Sequence, residues 1–295
     1  MQTTASRTYE ENRQIARCLR EAAQRLAEQG ATQSRADAYR FAADSVERLD
    51  RPIRLLFDEG GMDVLVALPH VRVGIAQAVA EILITRRWRQ LERLRGDARS
   101  TSAFEAVPGI GHELALRIHE SLHIDTLEDL EAAARSGRLE TVTGVGPRRA
   151  AGIRAALAEA LGRWRRWHAQ PRGAGPAPEP AIALLLDIDH RYRELVAAGA
   201  LPTVTPKRPN LESRPLPLLH ATNDGWHFTA MHPYAGRAHE LSRMSGWVVV
   251  YFYDETQAER QRTVVTETRG ALTGKRVVRG REMACRAHYA AHYAG

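Results

Sequence analysis

The sequence predicts a multi-domain chain, with an all-α first half and a small α+β second half that contains a mostly antiparallel sheet. Apolar residues follow a helical period over residues 8–168, whereas short β-prone runs separated by turn signals fill residues 218–279. Between the halves lies PRGAGPAPEP, at residues 171–180, whose Pro, Gly and Ala content is typical of a linker.

The first half reads as a series of helices joined by short turns. An amphipathic pattern over residues 10–29 ends at Gly30, and Ser34 is a suitable N-cap for a second helix that reaches residue 49. Further helical patterns cover residues 52–60, 62–68, 75–87, 91–95, 114–121, 126–135 and 148–167.

The second half combines helices with short strands. Asp224-Gly225 lies between two alternating runs, which predicts a β-hairpin with strands over residues 218–221 and 226–231. Residues 201–218 are Pro-rich and predict irregular structure. The other predicted strands cover residues 246–253, 262–268 and 275–279, and the predicted helices cover residues 181–198, 235–244 and 282–293.

Two segments, 107–111 (VPGIG) and 142–146 (VTGVG), repeat one pattern 35 residues apart, and each opens onto a helical run. Glycines allow a tight turn and the close approach of backbone N–H groups to a ligand, and the helix that follows presents its positive dipole end to the same anion. This is the helix-hairpin-helix pattern, which holds DNA phosphates without reading bases. The expected DNA-binding residues are Gly109, Ile110, Gly111, His112, Gly144, Val145, Gly146, Arg148 and Arg149.

The amino-acid composition is compatible with an intracellular protein that binds DNA. The formal net charge is +7, which suits a polyanion, although the preference for arginine over lysine is also what codon bias would produce. The sequence contains no apolar run of about 20 residues, its first 20 residues do not resemble a secretory signal, and its two cysteines lie far apart. We therefore expect a cytoplasmic, nucleoid-associated protein without membrane contact.

Several segments of the first half occur in a recognisable order: ENRQIA at 11–16, DAYRFAA at 37–43, LP at 68–69, GIG at 109–111, IDTLEDL at 124–130, GRL at 137–139 and GVG at 144–146. This order resembles the N-terminal region of bacterial X-family DNA polymerases, over residues 8–165. The resemblance implies a lyase-like helical domain over residues 1–100, a tandem helix-hairpin-helix domain over residues 101–170, and binding to gapped or nicked DNA. It also suggests a monovalent cation at the hairpin turns.

The departures from this family predict that its chemistry is absent. His70-Val71-Arg72 stands where the family has a two-glycine turn, and the positions of the family's Schiff-base lysine fall on Gly74 and Ala78. A Schiff base needs a primary amine, and no lysine precedes Lys207, which leaves the α-amine of Met1. We therefore expect no lyase activity.

Polymerase activity is not expected either. Asp187-Ile188-Asp189 is the nearest match to the metal-binding Asp pair of the polymerase palm, but no Gly-Ser turn precedes it. The stretch instead predicts a helix with both aspartates near its end or in solvent. The leading function is thus a sequence-independent, structure-preferring DNA-binding protein, a DNA-repair or DNA-processing accessory factor that needs no cofactor and has repair proteins as candidate partners.

The second half, residues 181–295, leaves alternatives open. Asp254, Glu267 and Lys275 are candidate catalytic residues of a metal-dependent DNA nuclease that would need Mg²⁺ or Mn²⁺, although Arg269 occupies the position of that class's lysine. In the structural alternative, Glu267 pairs with an arginine across the sheet.

Three other features are candidates for binding. Cys285, His288 and His292 share a helix face and are candidate zinc ligands, with a fourth ligand from His220, His227, His232 or His239. The basic stretch 266–281 is either a DNA-binding ribbon or a solvated strand face. The Arg-Trp clusters at 86–89 and 163–167 predict tryptophans that anchor helices, in preference to base-stacking platforms.

A third function would be a non-catalytic scaffold whose hairpins dock protein.

Overall fold

The computed structural model describes residues 2–96, 102–105, 107–122, 124, 127–167, 178–205, 215–232, 247–256, 259–268 and 270–293. Within them the chain forms a helical N-terminal region followed by a six-stranded antiparallel sheet with two further helices, which confirms the predicted fold class. The predicted helix over residues 235–244 and most of the expected linker lie outside the described residues. None of the helices described there is long and apolar enough to cross a membrane.

The α-helices are α1 (Gln2–Glu28), α2 (Gln33–Glu47), α3 (Ile53–Val66), α4 (Val73–Thr85), α5 (Arg89–Arg95), α6 (Ser102–Glu105), α7 (His112–Leu122), α8 (Leu127–Arg135), α9 (Pro147–Trp167), α10 (Ile182–Ala197) and α11 (Glu282–Tyr293). The strands are β1 (Thr203–Val204), β2 (Leu216–Asn223), β3 (Trp226–Met231), β4 (Trp247–Tyr253), β5 (Arg260–Thr266) and β6 (Arg276–Val278).

The chain folds into two compact units, each built from three segments. The first unit contains residues 1–98, 194–231 and 251–260, and the second contains residues 99–193, 232–250 and 261–295. The domain boundaries expected from the sequence stay a prediction.

The core of the first unit is formed largely by helices α1 to α5. Ile15, Leu19 and Leu26 of α1 are fully buried, as the amphipathic pattern predicts, and α2 packs extensively against this face. The N-cap of α2 is Thr32 rather than the expected Ser34, and its side chain makes no capping hydrogen bond.

A side chain from α1 fixes the start of α3. The N-cap of α3 is Pro52, which has no side-chain hydrogen bond to offer. Asn12, 2% exposed, accepts from the Ile53 amide through Oδ1 at 2.9 Å and donates from Nδ2 to the Arg51 carbonyl at 3.0 Å. The one buried side-chain amide of Asn12 therefore provides hydrogen-bond partners for the first helical N–H group and for the carbonyl of the residue before the N-cap.

The sheet has strand order β1-β2-β3-β4-β5-β6, so neighbours in the sequence are neighbours in the sheet. Asp224 and Gly225 connect β2 to β3 with φ values of 50° and 76°, which are the left-handed conformations that a two-residue type I′ hairpin turn requires. The expectation of irregular structure over residues 201–218 was wrong at both ends. A two-residue strand, β1, pairs with the start of β2, where Thr203 faces Pro217, and the beginning of a strand tolerates a residue without an N–H group.

Candidate nucleic-acid interface

The two glycine turns of the second unit have the same backbone. Ile110 N donates to Val107 O at 3.0 Å, and Val145 N donates to Val142 O at 3.0 Å. The third residues of these turns, Gly109 and Gly144, have φ values of 90° and 91°. A hydrogen bond from the fourth residue to the first, with positive φ at the third, is typical of a type II turn. The predicted repeat in sequence is therefore also a repeat in structure.

The second glycine of each turn has no such conformational reason. Gly111 and Gly146 lack a positive φ, and nothing in the described part of the chain lies within 4 Å of where a Cβ would stand. Both are exposed, while the flanking Ile110 and Val145 are buried. A glycine that neither the backbone nor the packing requires is typical of a place where a ligand approaches the main chain closely.

Both turns contribute to one shallow groove, which is lined by Pro108, Gly109, Gly144, Gly146, Arg148, Arg149, Gly152 and Ile153. Half of these residues are glycines, so much of the groove wall is backbone. Helix α9 begins there at Pro147, and the first N–H groups of a helix have no intrahelical partner. The groove thus combines glycine backbone, the positive end of a helix and two exposed arginines.

Arginines also close over the second turn. Arg149 donates from Nη1 to the Gly144 carbonyl at 2.9 Å, and Nη1 of Arg117 lies 3.1 Å from the position of a Cβ on Gly144. The carbonyl of Gly144, which accepts this hydrogen bond, is among those expected to bind a monovalent cation, and that expectation stays a prediction. At the first turn, Nδ1 of His112 lies 2.9 Å from a carboxylate oxygen of Glu105.

The first unit contains a third turn of the same kind at residues 68–72. Val71 N donates to Leu68 O at 3.1 Å, and His70, at the third position, has a φ of 60°. The turn that looks degenerate in sequence therefore keeps the backbone of the glycine turns. His70 and Arg72, both exposed, occupy the two glycine positions.

The positions that match the family's lysine lie on α4. Gly74 lines a cavity of the first unit, and Ala78 is buried in the core with 4% exposure. The described residues therefore place no lysine amine on this helix.

The side chains of the candidate nuclease residues contact neighbouring residues of their own unit. Asp254, in the first unit, accepts from the amide and hydroxyl of Thr256 at 2.8 Å. Glu267, in the second unit, accepts from Arg279 Nη1 at 2.6 Å, which is the salt bridge with an arginine that the structural alternative predicts. Lys275 lies over the ring of Tyr289, with Nζ 5.5 Å from its centroid.

The candidate zinc ligands of α11 are less accessible than the sequence suggests. Cys285 is fully buried, its Sγ accepts from the Val278 amide at 3.3 Å, and burial raises the pKa of its thiol. The ring of His288 packs edge-on against Tyr289, and the side chain of His292 lies outside the described residues. Across the part of the chain that the structure describes, no three His, Cys, Asp or Glu side chains form a metal-binding group.

Several charged groups are more buried than expected. Asp189 is fully buried, contrary to the expected position near a helix end or in solvent, and pairs with Arg276 at 2.5 Å and Arg193 at 3.1 Å. In the basic stretch, Arg279 and Arg281 also pair with carboxylates. Trp88 is buried against Tyr39 while its neighbouring arginines pair with glutamates, which confirms the anchoring interpretation for residues 86–89.

Sequence reasoning missed a buried arginine in the first unit. Arg35, 3% exposed, donates to the hydroxyl groups of Tyr253 (2.8 Å) and Thr229 (3.1 Å) and to the carbonyl of Phe228 (3.1 Å). The available signal was its position, because Arg35 falls on the same face of α2 as the buried residues Tyr39, Ala42 and Val46.

Comparison with known families supports the helix-hairpin-helix interpretation. Residues 10–88 match the family described as a helix-hairpin-helix domain, and residues 102–159 match the SAM-like helix-hairpin-helix tandem. The two matches include the third turn and both glycine turns, respectively. No curated protein matches the chain. The first 160 residues thus contain two helix-hairpin-helix regions, which supports nucleic-acid binding.

Proposed function

We propose that this chain binds DNA through its backbone phosphates, without reading the bases, and prefers gapped or nicked DNA. It acts as an accessory factor in DNA repair or processing, without polymerase or lyase activity. The preference for interrupted DNA follows from the ordered resemblance of residues 8–165 to X-family polymerases. The lack of lyase chemistry follows from Gly74 and Ala78, which offer no amine.

One observation carries this proposal: two turns with the same backbone share a groove walled by glycines. Gly111 and Gly146 keep the backbone open where nothing in the described chain approaches them. A phosphate is small, anionic and accepts several hydrogen bonds, so it fits a glycine-lined helix start beside Arg148 and Arg149. Contacts of this kind position a protein on DNA and carry no sequence information.

Fluorescence anisotropy with two duplexes that differ by a one-nucleotide gap tests the proposal. We expect tighter binding to the gapped duplex, equal affinity for two unrelated sequences, and a steep loss of affinity as salt rises. Arg148→Ala should weaken binding to all duplexes equally and reduce the salt slope by about 0.9 for each phosphate that the variant no longer neutralises.

Arg191→Ala is the matched control, because Arg191 is an exposed arginine of α10 that does not line the groove. It should leave the affinity and the salt slope nearly unchanged. Equal losses in both variants would indicate a diffuse charge effect instead of a site in the groove. Negligible binding to every duplex would remove DNA as the ligand and favour a hairpin fold that docks protein.

A further inference from the structure

A cavity of about 350 Å³ lies within the first unit, beside the third hairpin turn. Its wall is formed by α2, by the turn and first residues of α4, by Gln90 of α5, by His227 of β3, and by Tyr253 with the segment that follows β4. All of these residues belong to the one compact unit. A concave site of this size suits a small flat molecule.

Two buried polar atoms of the wall lack a partner. Gln90 is 8% exposed, and its Oε1 accepts from the Tyr39 hydroxyl at 3.0 Å, which directs Nε2 elsewhere. Nε2 of Gln90 and Oε1 of Glu259 have no hydrogen-bond partner among the residues that the structure describes. The other oxygen of Glu259 pairs with Arg93. Both atoms are shielded from solvent, so side chains of the wall must turn before a ligand that offers one acceptor and one donor can satisfy them.

The charge of the wall favours a neutral ligand. Four carboxylates line the cavity, those of Asp37, Asp254, Glu255 and Glu259, against the two guanidinium groups of Arg35 and Arg72. Burial and these two arginines lower the pKa of His227 to about 4, so its imidazole adds no charge near neutral pH. Arg40 pairs with Asp37 and Arg93 pairs with Glu259 from outside the wall, so carboxylates and guanidinium groups balance and a neutral ligand is favoured.

The rings of the wall favour a flat ligand. The ring of Phe41 is 53% exposed and lies 5.5 Å from that of His70, and the rings of His227 and Tyr253 are 5.1 Å apart. An exposed phenylalanine beside a cavity offers a stacking face. His70 and Arg72 belong to the third hairpin turn, so the cavity adjoins the same kind of backbone that we propose to hold phosphates.

We propose that this cavity binds an unpaired nucleobase, with the base edge between Gln90 and Glu259 and the ring against Phe41. Every nucleobase carries an acceptor next to a donor on its pairing edge, and proteins that extract a base from the helix recognise this edge and stack on the ring. The proposal rests on the DNA binding proposed above, because we take the base to come from the bound DNA. A free nucleoside has the same chemistry and is the other source to be tested.

The test uses the full chain and three duplexes with the same label and sequence. One is intact, one carries a single extra nucleotide as a bulge, and one carries an abasic residue at that bulge. The last two share one backbone and differ in a single base. We expect the base-containing bulge to bind about tenfold more tightly than the abasic bulge, as stacking of one base on an aromatic side chain would give.

Phe41→Ala should abolish this tenfold difference, and Gln90→Glu, which replaces the donor with an acceptor, should reduce it. Leu55→Ala is the control, because Leu55 is an exposed apolar residue of α3, 48% exposed, outside the cavity. Phe41 is exposed, so its removal leaves folding intact even where Gln90→Glu does not.

The outcomes separate the two proposals. Equal binding of the two bulges, with clear affinity for DNA, overturns the nucleobase cavity and leaves phosphate binding in place. If no DNA binds, the deoxynucleosides themselves are titrated. Nucleoside binding that Phe41→Ala removes and Leu55→Ala keeps supports the cavity with a free ligand, and its absence overturns the proposal.

Discussion

At the scale of single residues, the two glycines of each hairpin turn have different reasons to be glycine. Gly109 and Gly144 have φ values near 90°, which a side chain makes costly. Gly111 and Gly146 have an ordinary backbone and open space around them. Stability and DNA affinity should therefore separate when each kind of glycine is replaced.

Gly144→Ala should lower the free energy of unfolding by about 1–2 kcal/mol, because alanine is strained at this φ and Arg117 Nη1 lies 3.1 Å from its Cβ. Gly146→Ala should leave stability nearly unchanged and weaken DNA binding, since its methyl group occupies the space of the phosphate. Urea denaturation and anisotropy of both variants measure the two effects. A Gly146→Ala protein with full DNA affinity would contradict the role assigned to the second glycine.

Three histidines make stability depend on pH. Burial, with nearby arginines, lowers the pKa of His220 well below its ordinary value and that of His227 to about 4, and burial also lowers the pKa of His232. Between pH 6.5 and about 4 the unfolded chain therefore takes up protons that the folded chain refuses, and folding loses stability as the pH falls. We expect the urea midpoint to decrease from pH 7 to pH 4.5.

His227→Gln should reduce this dependence without removing it, because His220 and His232 remain. The change between pH 7 and about pH 5.5 belongs mainly to the histidines, because the carboxyls with a lowered pKa, such as Glu21 at about 2 beside Arg95, take up protons in the unfolded chain mainly below that pH. A urea midpoint that stays constant from pH 7 to about pH 5.5 would show that the pKa values of these imidazoles are not lowered in the folded chain.

At the scale of elements, the sequence was most informative where a pattern has one local cause. The Asp224-Gly225 hairpin was predicted because left-handed turn residues are chemically distinctive, and the stripes of α1 and α2 because helical burial repeats regularly. The burial of Asp189 and Arg35 could not be predicted from a local sequence pattern. Their partners, Arg276 and Tyr253, lie 87 and 218 residues away in sequence.

The third hairpin turn could not be predicted from a glycine motif. Its glycines are replaced, yet His70 adopts the left-handed conformation and the turn forms. Buried Val71 and the hydrogen bond to Leu68 hold the chain there, and such tertiary constraints leave no mark in a glycine pattern. The cavity beside this turn was unpredictable for the same reason, because its wall combines residues from distant segments.

The start of α3 gives a prediction at this scale. Asn12→Ala removes both hydrogen bonds of a buried amide and leaves the Ile53 N–H group without its partner, so the free energy of unfolding should fall by about 1–3 kcal/mol. Urea denaturation measures the loss. Gln24→Ala, on the exposed side of the same helix, is the control and should change stability by no more than about 0.5 kcal/mol. Equal stability of the two variants would contradict the role of Asn12.

At the scale of the whole molecule, the first unit joins the beginning of the chain to strands near its end. Arg35 of α2 donates to Tyr253 of β4 and to Phe228 and Thr229 of β3. Arg93 of α5 pairs with Glu259 and lies over the ring of Tyr251. These buried arginines make the helices and the strands of this unit depend on each other for stability.

Arg35→Lys should lower the free energy of unfolding by at least about 2 kcal/mol, because an ammonium group cannot replace the planar set of donors. Hydrogen exchange should show α2 and the β2–β3 hairpin becoming less protected together. Arg40→Lys, which keeps the charge of a half-buried ion pair with Asp37 on the same helix, should change neither. Loss of protection in α2 alone would mean that the helices and strands unfold independently.

The strand order of the sheet also bears on how the protein behaves when it is concentrated. The two outermost strands, β1 and β6, are the shortest of the six, with two and three residues. A sheet exposes unpaired backbone groups at its outer strands, and long exposed edges let separate molecules join into aggregates. Because these edges are so short, each molecule offers few sites for such joining, and solutions of the chain should resist β-type aggregation.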